Sequence, residues 1–353
     1  MSGEPKYKAI GLDLCKMISR GHYKSGDKLP SQQRLMIDYG VSLSTIRQTL
    51  KMMSDEGWVR PEHGKGVFVE DKVLAGDFAI VVKAKRLDEG VSVFHRLVCV
   101  ELYKALNEHH PNSQVRLHTG KPGRGGESFA DTLDLLENRI RVHLGGVFTL
   151  EKLETLNEQL FENGIPVVSL GGSGRYGAEF DTEVLFERGF EYLHKIGCRS
   201  IGVIGFRNPS TIGIDVVPAE KRITKILDRG VGDKRIGVNI SDSVEEMGYQ
   251  IANHLLDKLE RPDALLVTDD DICSGVLRAI LQRGIKLPSE LKLISYTNRG
   301  VRLPYHLSVT RFEFDSKIMV QRAVEIMDML LSGEKQKPIN VRIKPDFILG
   351  DTA

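Results

Sequence analysis

The chain has 353 residues, of which 41% are hydrophobic and 27% are charged, and its formal net charge is +1. This length allows two or three domains with substantial cores, and the composition is ordinary for a soluble globular protein. No apolar run approaches the roughly 20 residues of a membrane span and no signal peptide opens the chain, so a cytoplasmic protein is expected. Four cysteines lie far apart without a CxxC pair, which argues against a disulfide framework or a zinc site.

The first 40 residues contain the signals of two helices. Apolar residues at a spacing of four predict a helix over residues 7–18. Ser31 follows a proline and is placed to cap a second helix with its side-chain oxygen. Gly40 is placed to end that helix, because glycine readily takes the left-handed conformation that terminates helices.

A third helix and a hairpin follow directly. Ser42 is placed to cap the helix, Ile46, Leu50 and Met53 recur at helical spacing, and Gly57 ends it. Two short strands, 58–59 and 67–69, then flank a turn over residues 62–66. The pattern predicts a winged helix-turn-helix, whose second helix can enter a DNA major groove while the wing reaches an adjacent minor groove. Side chains predicted on the solvent side of that helix are Ser44, Thr45, Arg47, Gln48 and Lys51.

The stretches GHYKSGDKLPS, VSLSTIRQTLKMMSDEGWV and HGKGVFV resemble the GntR family of bacterial transcription regulators over residues 7–69. The family's arginine after V-S is replaced here by Leu43, and its base-proximal arginine on the preceding helix by Gln33, so the operator sequence does not carry over. The alternative is a winged helix used only for protein contacts. The resemblance and the predicted helix faces together give these expected DNA-binding residues: Ser31, Gln33, Ser42, Ser44, Thr45, Arg47, Gln48, His63, Gly64 and Lys65.

Charge is distributed unevenly between the two ends of the chain. Residues 1–70 carry 11 Lys and Arg against 8 Asp and Glu, a net charge of +3, whereas the remainder carries a net charge of −2. A mildly basic N-terminal part (the head, residues 1–70) joined to a mildly acidic remainder (the body) is typical of a DNA-binding domain attached to a domain that does not bind DNA. The expected organisation is a DNA-binding domain over 1–70, a linker over 71–77 and a sensing domain over 78–353.

From residue 78 the sequence alternates between apolar strands and helices of 10–16 residues, which predicts parallel sheets with right-handed crossovers. There are more alternations than one domain usually holds, so we expect an α/β body of two doubly wound lobes. Two glycine-rich stretches, 120–126 and 171–177, are expected to be loops. Strands are expected at 78–82, 114–118, 142–148, 165–170, 200–206, 235–241, 264–268, 292–297 and 341–349, and helices at 94–110, 127–139, 150–164, 182–197, 219–227, 243–259, 272–284 and 316–333.

The body resembles the LacI/GalR-type effector domain, a fold of the periplasmic-binding-protein-like type I, over about residues 78–351. The resemblance is carried by FDTEVLFERGFEYLHKIGCRSIGVIG, by RPDALLVTDDDICSGVLRAILQRGIKLPSELKLISYTN, by LPYHLSVTRFEFD and by IKPDFIL. It implies two lobes with a small molecule, often a sugar, bound in the cleft between them. The ends of parallel strands are also where open α/β sheets bind ligands.

Carried over by position, the resemblance implies a set of effector-binding residues. Asp270 falls on the family's ligand-contacting aspartate, Asp269 replaces its usual asparagine, and Arg222 lies near its ligand-binding arginine. Thr297 stands where an aspartate is expected, with Asn298 beside it, which weakens the expectation of a simple pyranose. We expect the helix to begin near Ile272 and the Asp270 carboxylate to be solvated without ligand.

Two other chemistries fit parts of the sequence. Residues 172–177 match GxGxxG, but this match falls in mid-domain, whereas a dinucleotide fold carries the motif on its first strand. Asp269, Asp270 and Asp271 could hold a hard metal ion, although consecutive strand residues point in different directions, so at most two should converge. Because no catalytic constellation is found, we expect no enzyme activity, no cofactor and no metal.

The sequence thus predicts a ligand-responsive transcription regulator: a repressor whose operator affinity changes when a small molecule, with a sugar or sugar derivative as one candidate, binds the body. The expected partners are double-stranded operator DNA and a second copy of the chain, and no membrane. Coupling would follow from linkage between the two binding events. The alternative is an enzyme or small-molecule carrier built on the doubly wound body, with the winged helix used for docking.

Overall fold

A computed structural model describes residues 5–19, 21–70, 76–84, 87, 93–123, 126–128, 144–150, 153–171, 174–208, 211–218, 238–239, 243–257, 261–332 and 337–353. The chain forms two compact units. The first comprises Met1–Ala84, Cys99–Glu179 and Val320–Val341, and the second comprises Lys85–Val98, Phe180–Met319 and Arg342–Ala353. Within the described residues, no helix is long and apolar enough to cross a bilayer.

The N-terminal residues of the first unit form the winged helix-turn-helix that the sequence predicts. Its elements are α1 (Lys6–Ser19), α2 (Gln32–Tyr39), α3 (Leu43–Asp55), β1 (Val59–Glu62) and β2 (Gly66–Val69). The two strands are antiparallel and form the wing. The apolar positions that recur at helical spacing are buried together, which confirms the periodicity argument; this core includes Leu14, Leu35, Ile46, Leu50, Met53 and Trp58.

The predicted caps of this region are confirmed. The Ser31 hydroxyl oxygen accepts a hydrogen bond from the Arg34 N–H at 3.2 Å, and the Ser42 oxygen accepts one from the Thr45 N–H at 3.3 Å. Gly40 has φ = 59°, in the left-handed region. Each cap satisfies a backbone group that a helix end leaves without an intrahelical partner.

The remainder of the first unit is organised around a mainly parallel sheet. Its described strands run in the order β15-β8-β7-β6-β3-β4-β5, with β4 and β5 paired antiparallel. The core of the unit includes buried side chains of β3, β6 and the helix between β6 and β7. The elements are β3 (Asp77–Lys83), α4 (Val93–His109), β4 (Val115–Gly123), β5 (Gly126–Ser128), β6 (Leu144–Thr149), α5 (Glu154–Glu162), β7 (Val167–Leu170), β8 (Tyr176–Phe180) and β15 (Ile339–Ile343).

The second unit is also built on a sheet. Its elements are α6 (Thr182–Lys195), β9 (Ser200–Asn208), β10 (Thr211–Pro218), β11 (Val238–Asn239), α7 (Val244–Leu256), β12 (Ala264–Val267), α8 (Asp270–Gln282), β13 (Lys292–Asn298), β14 (Thr310–Phe314) and β16 (Asp346–Ile348). Helix α9 (Ser316–Leu331) begins in this unit and continues into the first from Val320, and the residues of α4 up to Val98 also belong to the second unit. The described strands run in the order β11-β10-β9-β12-β13-β14-β16. The central pairs β9–β12, β12–β13 and β13–β14 are parallel, as expected, and the outer pairs are antiparallel.

The body differs from the sequence-based expectations at three places. The glycine-rich stretch 120–126 is largely strand, because β4 continues to Gly123 and pairs with β5. The second glycine-rich stretch contains the start of β8, which pairs in parallel with β7. Strand β10 was missed, although its alternating isoleucine and valine residues are the usual signal of a strand. The predicted helix over 219–227 lies outside the described residues, as do most of the predicted helix over 127–139 and of the predicted strand over 235–241.

Helices α7 and α8 approach each other closely through two glycines. A Cβ atom built on Gly275 would overlap the carbonyl oxygen of Glu245, and one built on Gly248 would overlap that of Ile272. Neither glycine is needed for a left-handed backbone, so the requirement is one of space. Because α8 begins at the end of β12, this contact helps to fix the strand ends that carry the candidate ligand residues.

We predict that Gly275→Ala destabilises the protein. Alanine would favour the helix by about 1 kcal/mol, but overpacking against a backbone oxygen typically costs about 1–3 kcal/mol and should outweigh this gain. The urea midpoint of unfolding should therefore fall. Ser274→Ala is the matched control, since it removes only a hydroxyl that donates to the Asp270 carbonyl within the same helix. An unchanged or raised midpoint for Gly275→Ala would show that the helices separate at little cost.

Candidate DNA-binding face and ligand-binding residues

Helix α3 divides into a buried face and an exposed polar face. Ile46, Thr49, Leu50 and Met53 are buried in the core of the head. Thr49 also fastens the helix, because its hydroxyl contacts the backbone carbonyl oxygens of Tyr7 and Thr45 at 3.1 and 3.0 Å. The helix is therefore fixed in the head with its opposite face turned towards solvent.

The exposed face of α3 carries the polar residues that the sequence indicates. Ser44, Arg47, Gln48 and Lys51 are exposed, and Thr45 is half-buried. Among the described residues, Arg47, Gln48 and Lys51 have no hydrogen-bond or ion-pair partner. Side chains of this kind, free to meet base edges and phosphates, are what a recognition helix requires.

Several candidate residues already have a structural role. The Ser31 and Ser42 oxygens accept the capping hydrogen bonds, which leaves the Ser31 hydroxyl proton free to donate. The Ser42 oxygen also lies 2.8 Å from the Ser44 hydroxyl and 2.9 Å from the Thr45 hydroxyl. This cluster of three hydroxyls lies at the N-terminus of α3, where helices favour contact with phosphate. Gln33 is exposed on α2.

The wing presents a short, exposed turn. His63, Gly64 and Lys65 are all exposed, and Gly64 has φ = 72°, a conformation that favours glycine. The wing is wider than the hairpin alone, because the backbone N–H groups of Gly26 and Leu29 donate to the carbonyl oxygens of Val69 and Val67. The turn is therefore held at the end of a small three-stranded arrangement.

The second set of candidate residues lies where β12 meets α8. Asp269 caps α8, since its Oδ1 accepts hydrogen bonds from the N–H groups of Asp271 and Ile272 at 2.9 and 3.0 Å. The helix begins at Asp270 and not near Ile272.

The expectation of a solvated Asp270 is wrong. Its side chain is only 1% exposed, and its Oδ2 accepts hydrogen bonds from the backbone and side-chain N–H groups of Asn298 at 3.1 and 2.9 Å. The Tyr296 hydroxyl donates to Asn298 Oδ1 at 3.1 Å. Asp270 and Asn298, which were both expected among the effector-binding residues, are thus hydrogen-bonded to each other.

Of the two remaining candidate effector-binding residues, Thr297 lies within the described residues and Arg222 does not. Thr297 is buried, and its Oγ1 has no hydrogen-bond partner. Because neighbouring strand residues point to opposite faces, its hydroxyl faces away from the side of β13 that carries Asn298. Arg222 lies outside the described residues.

Burial governs the electrostatics of the three consecutive aspartates. It raises the pKa of Asp269 well above the ordinary value, and repulsion from the other two carboxylates adds to the effect. The pKa of Asp270 is also raised by burial, although the Asn298 hydrogen bonds oppose the shift. Burial followed by repulsion from Asp270 raises the pKa of Asp271. Oxygens of all three lie within 4.8 Å of one another, so the expectation that at most two converge is wrong: the chain turns into α8 at this point.

The GxGxxG stretch does not have the arrangement of a dinucleotide site. Gly174 to Tyr176 lead into strand β8 and not into a helix, whereas a dinucleotide-binding loop opens a helix whose N-terminus holds the pyrophosphate. The Arg175 guanidinium instead pairs with Glu158 at 2.8 Å and lies 4.3 Å from the Phe161 ring centre. This arrangement fixes the approach to β8.

Sequence reasoning missed Arg299, which directly follows Asn298. Its guanidinium forms ion pairs with Glu313 at 2.9 Å, with Asp315 at 2.6 Å and with Asp346 at 2.6 Å. These contacts bind the end of β13 to the ends of β14 and β16. No local pattern could have revealed them, because the partners lie 14, 16 and 47 positions away in the chain.

The head and the body together define a winged helix-turn-helix protein with an α/β body of the periplasmic-binding-protein type. Residues 6–69 match the family model of the bacterial regulatory proteins of the gntR family, and residues 190–353 match that of the periplasmic binding protein-like domain. The head is thus a gntR-family regulatory domain, and the C-terminal part of the body is a periplasmic binding protein-like domain.

Curated relatives are transcription regulators. The chain is 30% identical over 95 residues to the mannosyl-D-glycerate transport/metabolism system repressor MngR of Escherichia coli (strain K12), covering 27% of this chain and 38% of that protein. The chain thus spans well under half of MngR. It is 19% identical over 362 residues to the arabinose metabolism transcriptional repressor of Geobacillus stearothermophilus, covering 98% of this chain and 96% of that one.

Solved structures share the fold. A complex of the transcriptional regulator CelR with cellobiose has a TM-score of 0.58 at 18% identity, covering 89% of this chain and 92% of that one. A Lac repressor dimer bound to operator and the anti-inducer ONPF has a TM-score of 0.59 at 16% identity, covering 78% and 93%. At these low sequence identities, the similarity shows a shared fold only.

We predict that Asp271→Asn stabilises the protein increasingly as the pH rises from about 4 to 7. A carboxyl whose folded pKa is raised contributes its full stability below its unfolded pKa of about 3.9 and loses it as the pH rises through the folded pKa. Asparagine does not ionise and so avoids this loss. Urea midpoints of variant and wild type across this range measure the difference.

The control is Asp257→Asn, which neutralises a carboxylate that is 66% exposed and paired with Arg283 at 2.8 Å in the same unit. Its effect should not grow more favourable with rising pH. If the Asp271→Asn difference is flat across the range, the burial of Asp271 does not destabilise its charged form.

Proposed function

We propose that this protein is a ligand-responsive transcription regulator, and specifically a repressor whose operator affinity changes when the body binds a small molecule. The observation that carries the proposal is the exposed, unpartnered polar face of α3 within a gntR-family head. The periplasmic binding protein-like domain attached to this head supplies the sensing part. The domain organisation we propose is a head over 1–70, a linker over 71–77 and a sensor over 78–353.

DNA reading is assigned to α3 and the wing. Arg47 and Gln48 have the donor geometry to read guanine and adenine edges in a major groove. The hydroxyls at the N-terminus of α3 and the basic side chain of Lys65 are suited to phosphates, which position the protein without reading sequence. Leu43 supplies no base hydrogen bond, so Arg47 carries a larger share of recognition.

The effector is assigned to the residues at the strand ends of the second unit. Thr297 offers a buried hydroxyl without a partner on one face of β13, and the Asp270–Asn298 pair lies at the end of the same strand on its other face. Neutral hydroxyl-bearing molecules suit such groups better than anions do, because the neighbouring carboxylates would repel negative charge. A sugar or sugar derivative meets this requirement, and regulators of sugar metabolism are among the relatives.

A homodimer in the cytoplasm is the form we propose to be active. Val100 and Tyr103 lie three positions apart on α4 and are 51% and 56% exposed, and Leu117 of β4 is 51% exposed. Apolar side chains of this size are favourable at an interface between copies. Two heads in one dimer would read two half-sites related by twofold symmetry. We propose no enzyme activity, because the relatives that the chain matches are transcription regulators.

We predict that Arg47→Ala weakens binding to a duplex selected from a random library by the wild-type protein. Losing one good base contact should cost about 1–3 kcal/mol. Because Arg47 is exposed and unpartnered, the urea midpoint should not change. The control is Arg322→Ala, which removes an exposed arginine paired with Glu325 on α9. Equal affinities of the Arg47 variant and wild type for the selected duplex would exclude α3 as the reading helix.

Thr297→Val provides the corresponding test of the sensor. The substitution keeps the shape of the side chain and removes a hydroxyl that has no partner in the protein, so stability should be retained or increased. If the hydroxyl contacts the ligand, binding of a sugar found by thermal-shift screening of mono- and disaccharides should weaken by about 0.5–1.5 kcal/mol. Ser113→Ala, which also removes a buried hydroxyl without a partner, is the control. Unchanged sugar affinity in calorimetry would remove Thr297 from the site.

A further inference from the structure

The turn between β1 and β2 folds Lys65 back towards Glu62. The Lys65 N–H donates to the Glu62 carbonyl oxygen at 3.1 Å, and the intervening Gly64 has the positive φ that this turn needs. The Lys65 Nζ then lies 3.3 Å from Glu62 Oε2, while the Arg60 Nε lies 3.4 Å from Oε1. A single carboxylate therefore faces both the lysine of the turn and the arginine of β1.

The position of Arg60 follows from the strand. Arg60 and Glu62 are two residues apart on β1, so their side chains lie on the same face of the hairpin. The Arg60 guanidinium also lies 6.0 Å from the centre of the Phe68 ring on the partner strand. Lys65 is 74% exposed and Glu62 is 32% exposed, so the pair remains open to an approaching polyanion.

The charge state of the cluster is set by these contacts. The hydrogen bond from Lys65, with a smaller contribution from Arg60, lowers the pKa of Glu62, which keeps the carboxylate ionised at neutral pH. The three groups thus carry a net charge of +1, whereas the two cations alone would carry +2. A phosphate that approaches Lys65 must either displace the Glu62 carboxylate or share the lysine with it.

We propose that Glu62 restrains the sequence-independent attraction of the wing to DNA by competing with phosphate groups for Lys65 and Arg60. The inference rests on the proposed DNA-binding function and adds a residue that opposes it. In non-specific binding, affinity comes from phosphates that replace condensed counterions, and each phosphate contact adds about 0.9 to the slope of log K against log salt. A carboxylate beside the contacting lysine reduces that gain at every DNA sequence alike.

A purely structural role for Glu62 makes the opposite prediction. If the carboxylate mainly closes the turn, its removal should loosen the wing and weaken DNA binding. If it mainly competes with phosphate, its removal should tighten binding. Glu62→Gln separates the two, because glutamine keeps the shape, the backbone bond to Lys65 and a side-chain oxygen that can accept, and removes only the charge.

The experiment is an anisotropy titration of a fluorescent random-sequence duplex with the full-length chain at several sodium chloride concentrations. We expect Glu62→Gln to bind several-fold more tightly than wild type at low salt, with a slope steeper by roughly 0.9. Asp55→Asn makes the same charge change at the exposed end of α3 and should leave the slope unaltered. Adding Lys65→Met to Glu62→Gln should abolish the gain.

The outcomes distinguish the inference from the proposed function. A wild-type protein that fails to bind the random duplex even at low salt overturns both. A wild-type protein that binds, with a Glu62→Gln variant of equal or weaker affinity and unaltered slope, overturns the inference alone. A gain in affinity that persists after Lys65→Met also overturns it, because the gain would then not pass through the lysine.

Discussion

The hydrogen bonding of a buried carboxylate is the constraint on which the candidate sensor depends. A carboxylate removed from water must be matched by donors, because an unmatched buried charge is strongly unfavourable. Asp270 finds two such donors on Asn298, and this match joins the first turn of α8 to the end of β13. Arg299 then ties the same strand end to β14 and β16. The residues that we assign to the effector are therefore held in place before any ligand arrives.

The head depends on a different constraint, the division of one helix into two faces. The apolar face of α3 is buried in the core of the head, and the Thr49 hydroxyl attaches it to the first helix through the backbone oxygen of Tyr7. Rigid placement of this kind lets exposed side chains meet DNA with little loss of conformational freedom. Periodicity, Ser31, Ser42 and Gly40 were enough to predict this architecture, because caps and helical stripes depend on residues close together in the chain.

Features of the body that depend on distant residues were not accessible in the same way. The burial of Asp270 is set by Asn298, 28 positions away, and sequence spacing alone gave the opposite expectation of a solvated carboxylate. The glycine-rich sequences predicted loops at 120–126 and 171–177, yet strand pairing extends through most of the described part of the first stretch and includes the last two residues of the second. The Lys65–Glu62 pair is local, but its effect on DNA binding becomes visible only when the turn is seen to bring the two charges together.

We propose that ligand binding by the body and DNA binding by the head are linked. Linkage is reciprocal: a ligand that changes DNA affinity must have its own affinity changed by DNA by the same factor, typically about 5- to 150-fold. Calorimetric titration of a sugar that binds the protein, with the full-length chain free and then saturated with its selected duplex, measures this factor directly. If the two binding events are linked, the two dissociation constants will differ by at least several-fold. Equal constants would contradict it, because the head and the body would then bind their partners independently.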